Sequence, residues 1–231
     1  MFKSRITNFS LMTTIVGGAL AGFTPAKPAN ALAFSYAVYY EPPHIPSSYD
    51  IYAIEVSTNT DAQTFIDKMS TDAIAFLGNN SYSQTEKKKK FKSLLEKNFD
   101  METIGRFVMG PKWKQMTDAQ KTEYQKLFND LIVNIYAERF SEYDGQKLVV
   151  ESARHDNKDY IVQSKIVSPD GQQKIPVSWR VRDKNGTKKI VDVSIKEVSM
   201  AISKKSEFAS IIQRGGGDPE VLLKHLRDKA G

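Results

Sequence analysis

Three histidines and a few isolated carboxylates are the residues of this chain best suited to proton transfer or metal binding. His44, His155 and His225 fall in three separate segments: a proline-bearing arm, a hairpin loop and a terminal helix. A catalytic zinc draws several such ligands from close spacing, as in H-E-x-x-H on a helix, and that pattern does not occur. Asp100 and Asp192 could form a carboxylate pair for general acid–base work. Asp100, however, stands where a helix N-cap belongs, and Asp192 reads as a strand-face or salt-bridge residue. No G-x-S-x-G and no P-loop is present. Gly215-Gly216-Gly217 has no strand directly before it and no Lys-Ser/Thr after it, so it reads as a flexible helix C-cap. The chain has no cysteine, which excludes disulfides and thiolate metal sites. The expectation is a protein that is not an enzyme, with no catalytic residues, no metal and no cofactor.

The elements that hold these residues suggest one domain with a greasy interior. A chain of 231 residues is long enough for one substantial core and short for two. Three of its six net positive charges come from Lys3, Arg5 and Lys27, leaving +3 for the rest, too mild to imply nucleic acid. Residues 1–33 read as a secretory signal. Lys3 and Arg5 precede an apolar run of about 13 residues, and Ala31-Leu32-Ala33 offers an A-x-A cleavage site. Residues 34–58 carry Pro42, Pro43 and Pro46 among tyrosines and read as a flexible arm. Residues 59–231 are expected to form one domain.

Within it, periodicity predicts a helix over 61–77 with Phe65, Met69, Ala73 and Phe76 on one face. A second follows over 85–97, with Lys87 to Lys90 as a solvated face. Asp100 caps a third, ended by Gly110-Pro111. Thr117 and Gln120 form a capping box for a fourth, predicted to run about 25 residues until Gly145. The period then changes to two. Strands are predicted over 147–154 and 160–168, followed by Ile175, Val177, Trp179 and Val181 in alternation and then Val191, Val193 and Ile195. Pro169-Asp170-Gly171 and Asn185-Gly186 are turn signals, and Pro176 marks an edge or an irregularity. Ser203 is the expected cap of a helix carrying Phe208, Ile211 and Ile212, and Asp218-Pro219-Glu220 opens the last. The fold class is therefore α+β, a four-stranded antiparallel meander sheet packed against several helices.

Residues 99–143 carry a more specific signal. They read F-D-x-x-x-I-x-R-x-V-x-G-x-x-W (Phe99, Asp100, Ile104, Arg106, Val108, Gly110, Trp113), then Thr117, Gln120, Tyr124 and Phe128, then Ile135-Tyr136-Ala137, Phe140 and Tyr143. This order resembles the MlaC, or toluene-tolerance, family of periplasmic phospholipid-binding proteins. The likeness continues through Asp192, Val193, Val198, Ser199, Met200 and Phe208 and covers about residues 62 to 228. Val198 follows Glu197 directly where the family usually carries a glycine, and Ile190 stands where many members read W-K-V.

The resemblance implies that helix and sheet faces enclose an apolar lipid-tail cavity. It implies a periplasmic carrier, soluble after signal cleavage, which binds phospholipid by its acyl chains and maintains outer-membrane lipid asymmetry. The implied partners are the phospholipid ligand, an inner-membrane ABC-type lipid transporter complex and an outer-membrane lipoprotein complex, with no nucleic acid. Periodicity supplies the candidate lining: Phe99, Ile104, Phe107, Val108, Phe128, Leu131, Ile135, Val162, Ile166, Val177, Trp179, Val181 and Phe208. A hopanoid-type carrier of the same fold, an enzyme on a cone-shaped α+β fold, and a structural envelope protein with a filled core are the alternatives.

Overall fold

Helix capping sets most of the helical boundaries in the computed structural model, which describes residues 60–230. The segments read as secretory signal and arm, with His44, lie outside the described residues. Helix α1 spans Thr60–Leu77 and α2 spans Gln84–Asn98. Ser83 caps α2 in a capping box with Glu86: the Glu86 N–H donates to Ser83 Oγ at 3.2 Å, and the Ser83 N–H donates to Glu86 Oε2 at 2.8 Å. Helix α3 covers Met101–Met109. Its cap Asp100 accepts from the Thr103 N–H and hydroxyl at 3.0 and 2.7 Å. Gly110, at φ 61°, ends it as expected, and a 3-10 segment carrying Trp113 runs over Gly110–Gln115. The expected Thr117–Gln120 capping box opens α4, Asp118–Ala137.

Helix α4 stops eight residues before Gly145. The chain tightens after Tyr136, whose carbonyl takes the Arg139 N–H at 3.1 Å. It re-forms as a single 3-10 turn, Phe140–Glu142, that seats Phe140 edge-on to Phe76 and Phe91 at 6.3 and 5.3 Å. Gly145, at φ 90°, serves the turn into the sheet.

Strands β1 (Lys147–Asp156), β2 (Asp159–Val167), β3 (Lys174–Lys184) and β4 (Thr187–Ile195) form the expected antiparallel meander. A short fifth strand, β5 (Val198–Ser199), folds back on β4 with Ile195 opposite Val198. Its two-residue turn holds Lys196 and Glu197 at φ 49° and 69°, so Glu197 occupies a conformation that glycine adopts without penalty. Pro176 lies near the start of β3, beside this turn, its carbonyl accepting the Lys196 N–H at 3.0 Å.

Helix α5 (Met200–Arg214) starts earlier than expected. Its cap is Ser199, which accepts the Ile202 N–H at 3.1 Å, while Ser203 sits inside the helix and donates to the Ser199 carbonyl. Asp192 is the reason. Its carboxylate, on β4, takes the Ser199 hydroxyl at 2.6 Å and the Ala201 N–H at 3.1 Å, so it supports a helix start in place of a salt bridge. The triple glycine is likewise structured. Gly215 lies so close to Val221 that an added Cβ would meet its Cγ1 at 2.5 Å, and the Gly217 carbonyl accepts Lys112 Nζ at 2.6 Å. Helix α6, Pro219–Ala230, closes the fold.

Two apolar clusters result. The first joins α3, α4, α5 and α6 around Val108, Tyr124, Phe128, Phe208 and Leu222. The second packs α1 and α2 on one face of the sheet through Ile66, Met69, Phe76, Leu94, Val162, Val181 and Ile190. Arg227 ties α6 to α4, gripping both oxygens of Glu123 at 2.7 and 2.8 Å and reaching Glu220 at 2.8 Å.

Candidate functional site

Strand register decides which side chains share a face. On one face β2 contributes Tyr160, Val162, Ser164 and Ile166, and β3 sets Val181, Trp179, Val177 and Ile175 directly opposite them. Strand β4 extends the first three rows with Ile190, Val193 and Ile195. The rows Tyr160–Val181–Ile190 and Val162–Trp179–Val193 belong to the cluster under α1 and α2. The next rows, Ser164–Val177–Ile195 and Ile166–Ile175, belong to neither cluster. Yet Ser164 and Val177 are each only 2% exposed, and Ile175 is also buried. On β1 the same rows continue as Val150 and Leu148, which pack against the sheet cluster, so Ser164, Val177 and Ile175 are buried at its edge.

The thirteen candidate residues divide accordingly. Val108, Phe128, Leu131 and Phe208 are buried in the helical cluster, with Ile104 and Ile135 half-buried against it. Val162 and Val181 are buried in the sheet cluster, with Phe99 and Trp179 packed against it. Val177 and the half-buried Ile166 lie at the edge of the sheet cluster. Phe107 does not join the buried face of α3. It is 44% exposed, with the Lys205 ammonium 4.6 Å from its ring centre. A nine-residue helix has room for one buried face, and Gly105, Val108 and Met109 occupy it. Ile175 and Ile195 fall outside the thirteen, although their period-two alternation with polar neighbours places them on the same face as Val177.

The enclosed cavity implied by the resemblance is not what the two described clefts provide. One, about 510 Å³, runs from the end of α1 past Gln84, Phe140 and Tyr143; the other, about 390 Å³, lies against Asp72, Phe76, Tyr82 and Lys90. Both have charged side chains in their walls. Most apolar side chains are instead gathered into the two clusters, as expected where empty apolar space forfeits dispersion contacts.

Polar groups inside this frame are structurally engaged. Trp179 Nε1 donates to Ser164 Oγ at 2.8 Å, and Ser164 Oγ donates to the Val177 carbonyl at 3.1 Å. Lys87, expected on a solvated face, is 7% exposed and donates from Nζ to the Leu77 carbonyl at 2.7 Å, while Lys88 to Lys90 are exposed. On the opposite face of the sheet, Arg182 grips Asp159 in bidentate fashion at 2.7 and 2.9 Å. Burial pushes the Asp159 carboxyl up, but the hydrogen bonds and charge of Arg182, with the charge of Arg180, outweigh it and hold the group below the usual range. Burial raises the Tyr124 and Tyr136 phenols, keeping both neutral.

Asp100 and Asp192 each support a helix start, which accounts for both carboxylates. Arg106 is exposed, with no acid paired to it among the described residues. His155 packs edge-on to Tyr160 with ring centres 4.2 Å apart. Among the described residues no group of three or more His, Cys, Asp or Glu is arranged to hold a metal, and no helix is long and apolar enough to cross a membrane.

Comparison with known proteins fits this architecture. The chain is 28% identical over 135 residues to the intermembrane phospholipid transport system binding protein MlaC of Haemophilus influenzae, covering 57% of this chain and 62% of that one. It is 25% identical over 126 residues to the toluene tolerance protein ttg2D of Pseudomonas putida, covering 54% and 58%. The chain thus spans about three-fifths of the length of each relative. Its fold matches a phospholipid-binding protein from Ralstonia solanacearum, solved in complex with a phospholipid. The TM-score is 0.64 at 22% identity, over 73% of this chain and 96% of that one. The MlaC protein family model matches residues 67–228, most of the chain, and the protein belongs to that family.

Proposed function

We propose that this protein is a phospholipid carrier of the bacterial envelope. It would take lipid by its acyl chains and pass it between an outer-membrane lipoprotein complex and an inner-membrane ABC-type transporter, so maintaining outer-membrane asymmetry. The periplasm is its proposed compartment, reached through the signal read at residues 1–33. The observation that carries the reading is the sheet half formed by Ser164, Val177, Ile166 and Ile175. In a chain of this family it is a largely buried apolar patch at the edge of the sheet cluster, next to Val150 and Leu148 on β1. The named relative from Haemophilus and the phospholipid complex from Ralstonia support the choice of ligand. The physics explains why a carrier is needed. Two acyl chains with about 28 methylenes resist passage through water by about 20 kcal/mol at about 0.8 per CH₂. An apolar slot offsets this without any covalent step.

Native mass spectrometry of the protein purified from its own envelope, followed by lipid extraction, tests this. Phospholipid near one per chain, with Val177→Trp lowering occupancy by filling the patch, supports the carrier. A bound hopanoid would replace the ligand. A lipid-free mass with no uptake from anionic vesicles would overturn the reading.

A further inference from the structure

We propose that the α3–α5 surface around Phe107 and Ile202 seats this protein directly on anionic phospholipid bilayers. Phe107 and Ile202 enter the headgroup region, and Arg106 and Lys205 meet the phosphates. The inference goes beyond the carrier reading and does not depend on it. Among the described residues three large apolar side chains stand exposed. Two of them, Phe107 at 44% and Ile202 at 58%, lie on helices that pack together. Lys205 joins them. It follows Ile202 by one turn on the same surface of α5. Its stem crosses the end of α3, where a Cβ added at Gly110 would meet Lys205 Cε at 3.2 Å, and its ammonium sits 4.6 Å from the Phe107 ring centre. Phe107 and Ile202 thus flank one lysine.

The charge around this pair is mainly positive. Residues 103–117 carry Arg106, Lys112 and Lys114 and no acid. Lys112 is engaged by the Gly217 carbonyl, but Arg106 and Lys114 are exposed. Neither of these two, nor Lys205, pairs with an acid among the described residues. Of the nearby acids, Glu207 is held by Lys204 at 2.6 Å, and Glu102, one turn before Arg106, forms no ion pair with it. Such a surface fits a bilayer better than a protein. A protein partner needs about 800 Å² of matched face with an apolar centre, and two side chains standing out from a helical surface offer far less. A bilayer needs no matched shape. It accepts single apolar side chains at the boundary of headgroups and acyl chains, while basic neighbours reach back to the phosphates. The Lys205–Phe107 contact keeps ammonium and ring together, so both arrive at that boundary as a unit.

A basic side chain near an anionic surface adds about fivefold in affinity, from about 1 kcal/mol. Burying the exposed half of Phe107 or Ile202 adds about threefold to tenfold for each. The test is flotation of the protein, purified from its own envelope, with pure-lipid vesicles of phosphatidylglycerol or of phosphatidylcholine. It is run at about 0.1 M and about 1 M salt, between which the screening length falls from about 10 Å to about 3 Å. The unaltered protein should float with phosphatidylglycerol at low salt, and much less at high salt or with phosphatidylcholine. Phe107→Ser/Ile202→Ser should weaken binding at least tenfold. Arg106→Gln/Lys205→Gln should weaken it about 25-fold, and carries the test if the serine variant does not fold. No flotation with phosphatidylglycerol, equal flotation with phosphatidylcholine, or unchanged binding by both folded variants overturns the proposal. Binding only to envelope vesicles that keep their proteins gives the surface to a protein partner. Self-association that Phe107→Ser abolishes, without flotation, gives it to a second copy of this chain, and either result overturns the bilayer. Lipid occupancy is read separately by native mass spectrometry, so failure of the carrier reading and failure of this one are told apart.

Discussion

Gly105→Ala separates two opposed effects at the α3–α4 contact, which holds Ile104 in place. Helix propensity favours alanine by about 1 kcal/mol in a helix interior. The contact opposes it. Gly105 is buried, its carbonyl accepts the Tyr124 hydroxyl at 2.9 Å, and an added Cβ would sit 2.6 Å from Gln125 Oε1 and 3.2 Å from its Cδ. The Gln125 amide is the far end of a flexible side chain, but it is held. Its Nε2 donates to the Met101 carbonyl at 2.7 Å and to Asn129 Oδ1 at 3.3 Å. Its Oε1 is buried with no hydrogen-bond partner. Moving the amide breaks about one net hydrogen bond, about 1 kcal/mol, and overpacking adds about 1–3 kcal/mol. The net expectation is a loss of about 1–3 kcal/mol, which lowers a urea midpoint by about 0.5–1.5 M. Gly105→Ala/Gln125→Ala should lose less than the two single changes summed, since the second removes what the first strikes. A Gly105→Ala protein at least as stable as the parent would show that Gln125 yields freely and would refute the reasoning.

Two further outcomes follow from backbone and charge. Glu197→Gly should raise stability by about 0.5–1 kcal/mol in thermal or urea melts, because relief of the left-handed φ of 69° exceeds glycine's extra entropy in the unfolded chain. Asp159 should make stability fall in acid. Its carboxyl is held below the ordinary value in the fold, so its stabilisation is complete above the unfolded value near pH 4 and is lost as pH falls through the lower folded value. Melts between about pH 6 and pH 2 should therefore decline less steeply in Asp159→Asn than in the parent.

The helices were legible where local chemistry alone sets them. Thr117 with Gln120 and Asp100 with Thr103 are contacts within three residues, so spacing reveals them. The start of α5 was not, because its second acceptor, Asp192, lies on another element. Ser203 offered a hydroxyl at a plausible spacing, and only the pairing of β4 with β5 shows that Ser199 receives the support. The end of α4 fails in the same way. Gly145 is a good local stop, yet the chain leaves the helix earlier and seats Phe140 on Phe76 and Phe91, both more than forty residues away in sequence. The triple glycine looks flexible until Lys112 is found on the Gly217 carbonyl.

The candidate site was legible as faces and not as spaces. Period two puts Val162, Val177 and Val181 on one side of the sheet, which the register confirms. It cannot separate the two valines that α1 and α2 cover from the one they do not, since coverage depends on where a helix crosses the strands. Ile175 has the same spacing as Val181, and only tertiary packing puts the second in the sheet cluster and leaves the first outside it. On α3, Phe107 and Val108 are neighbours in an apolar run, and a helix this short turns one outward. Residues of equal hydrophobicity thus divide into core, cluster edge and surface according to tertiary packing. Among those on the sheet the serine is the informative one. A buried hydroxyl in an apolar row needs partners, and its two bonds, to Val177 and Trp179, tie the buried Val177 strand position to the indole packed on the sheet cluster.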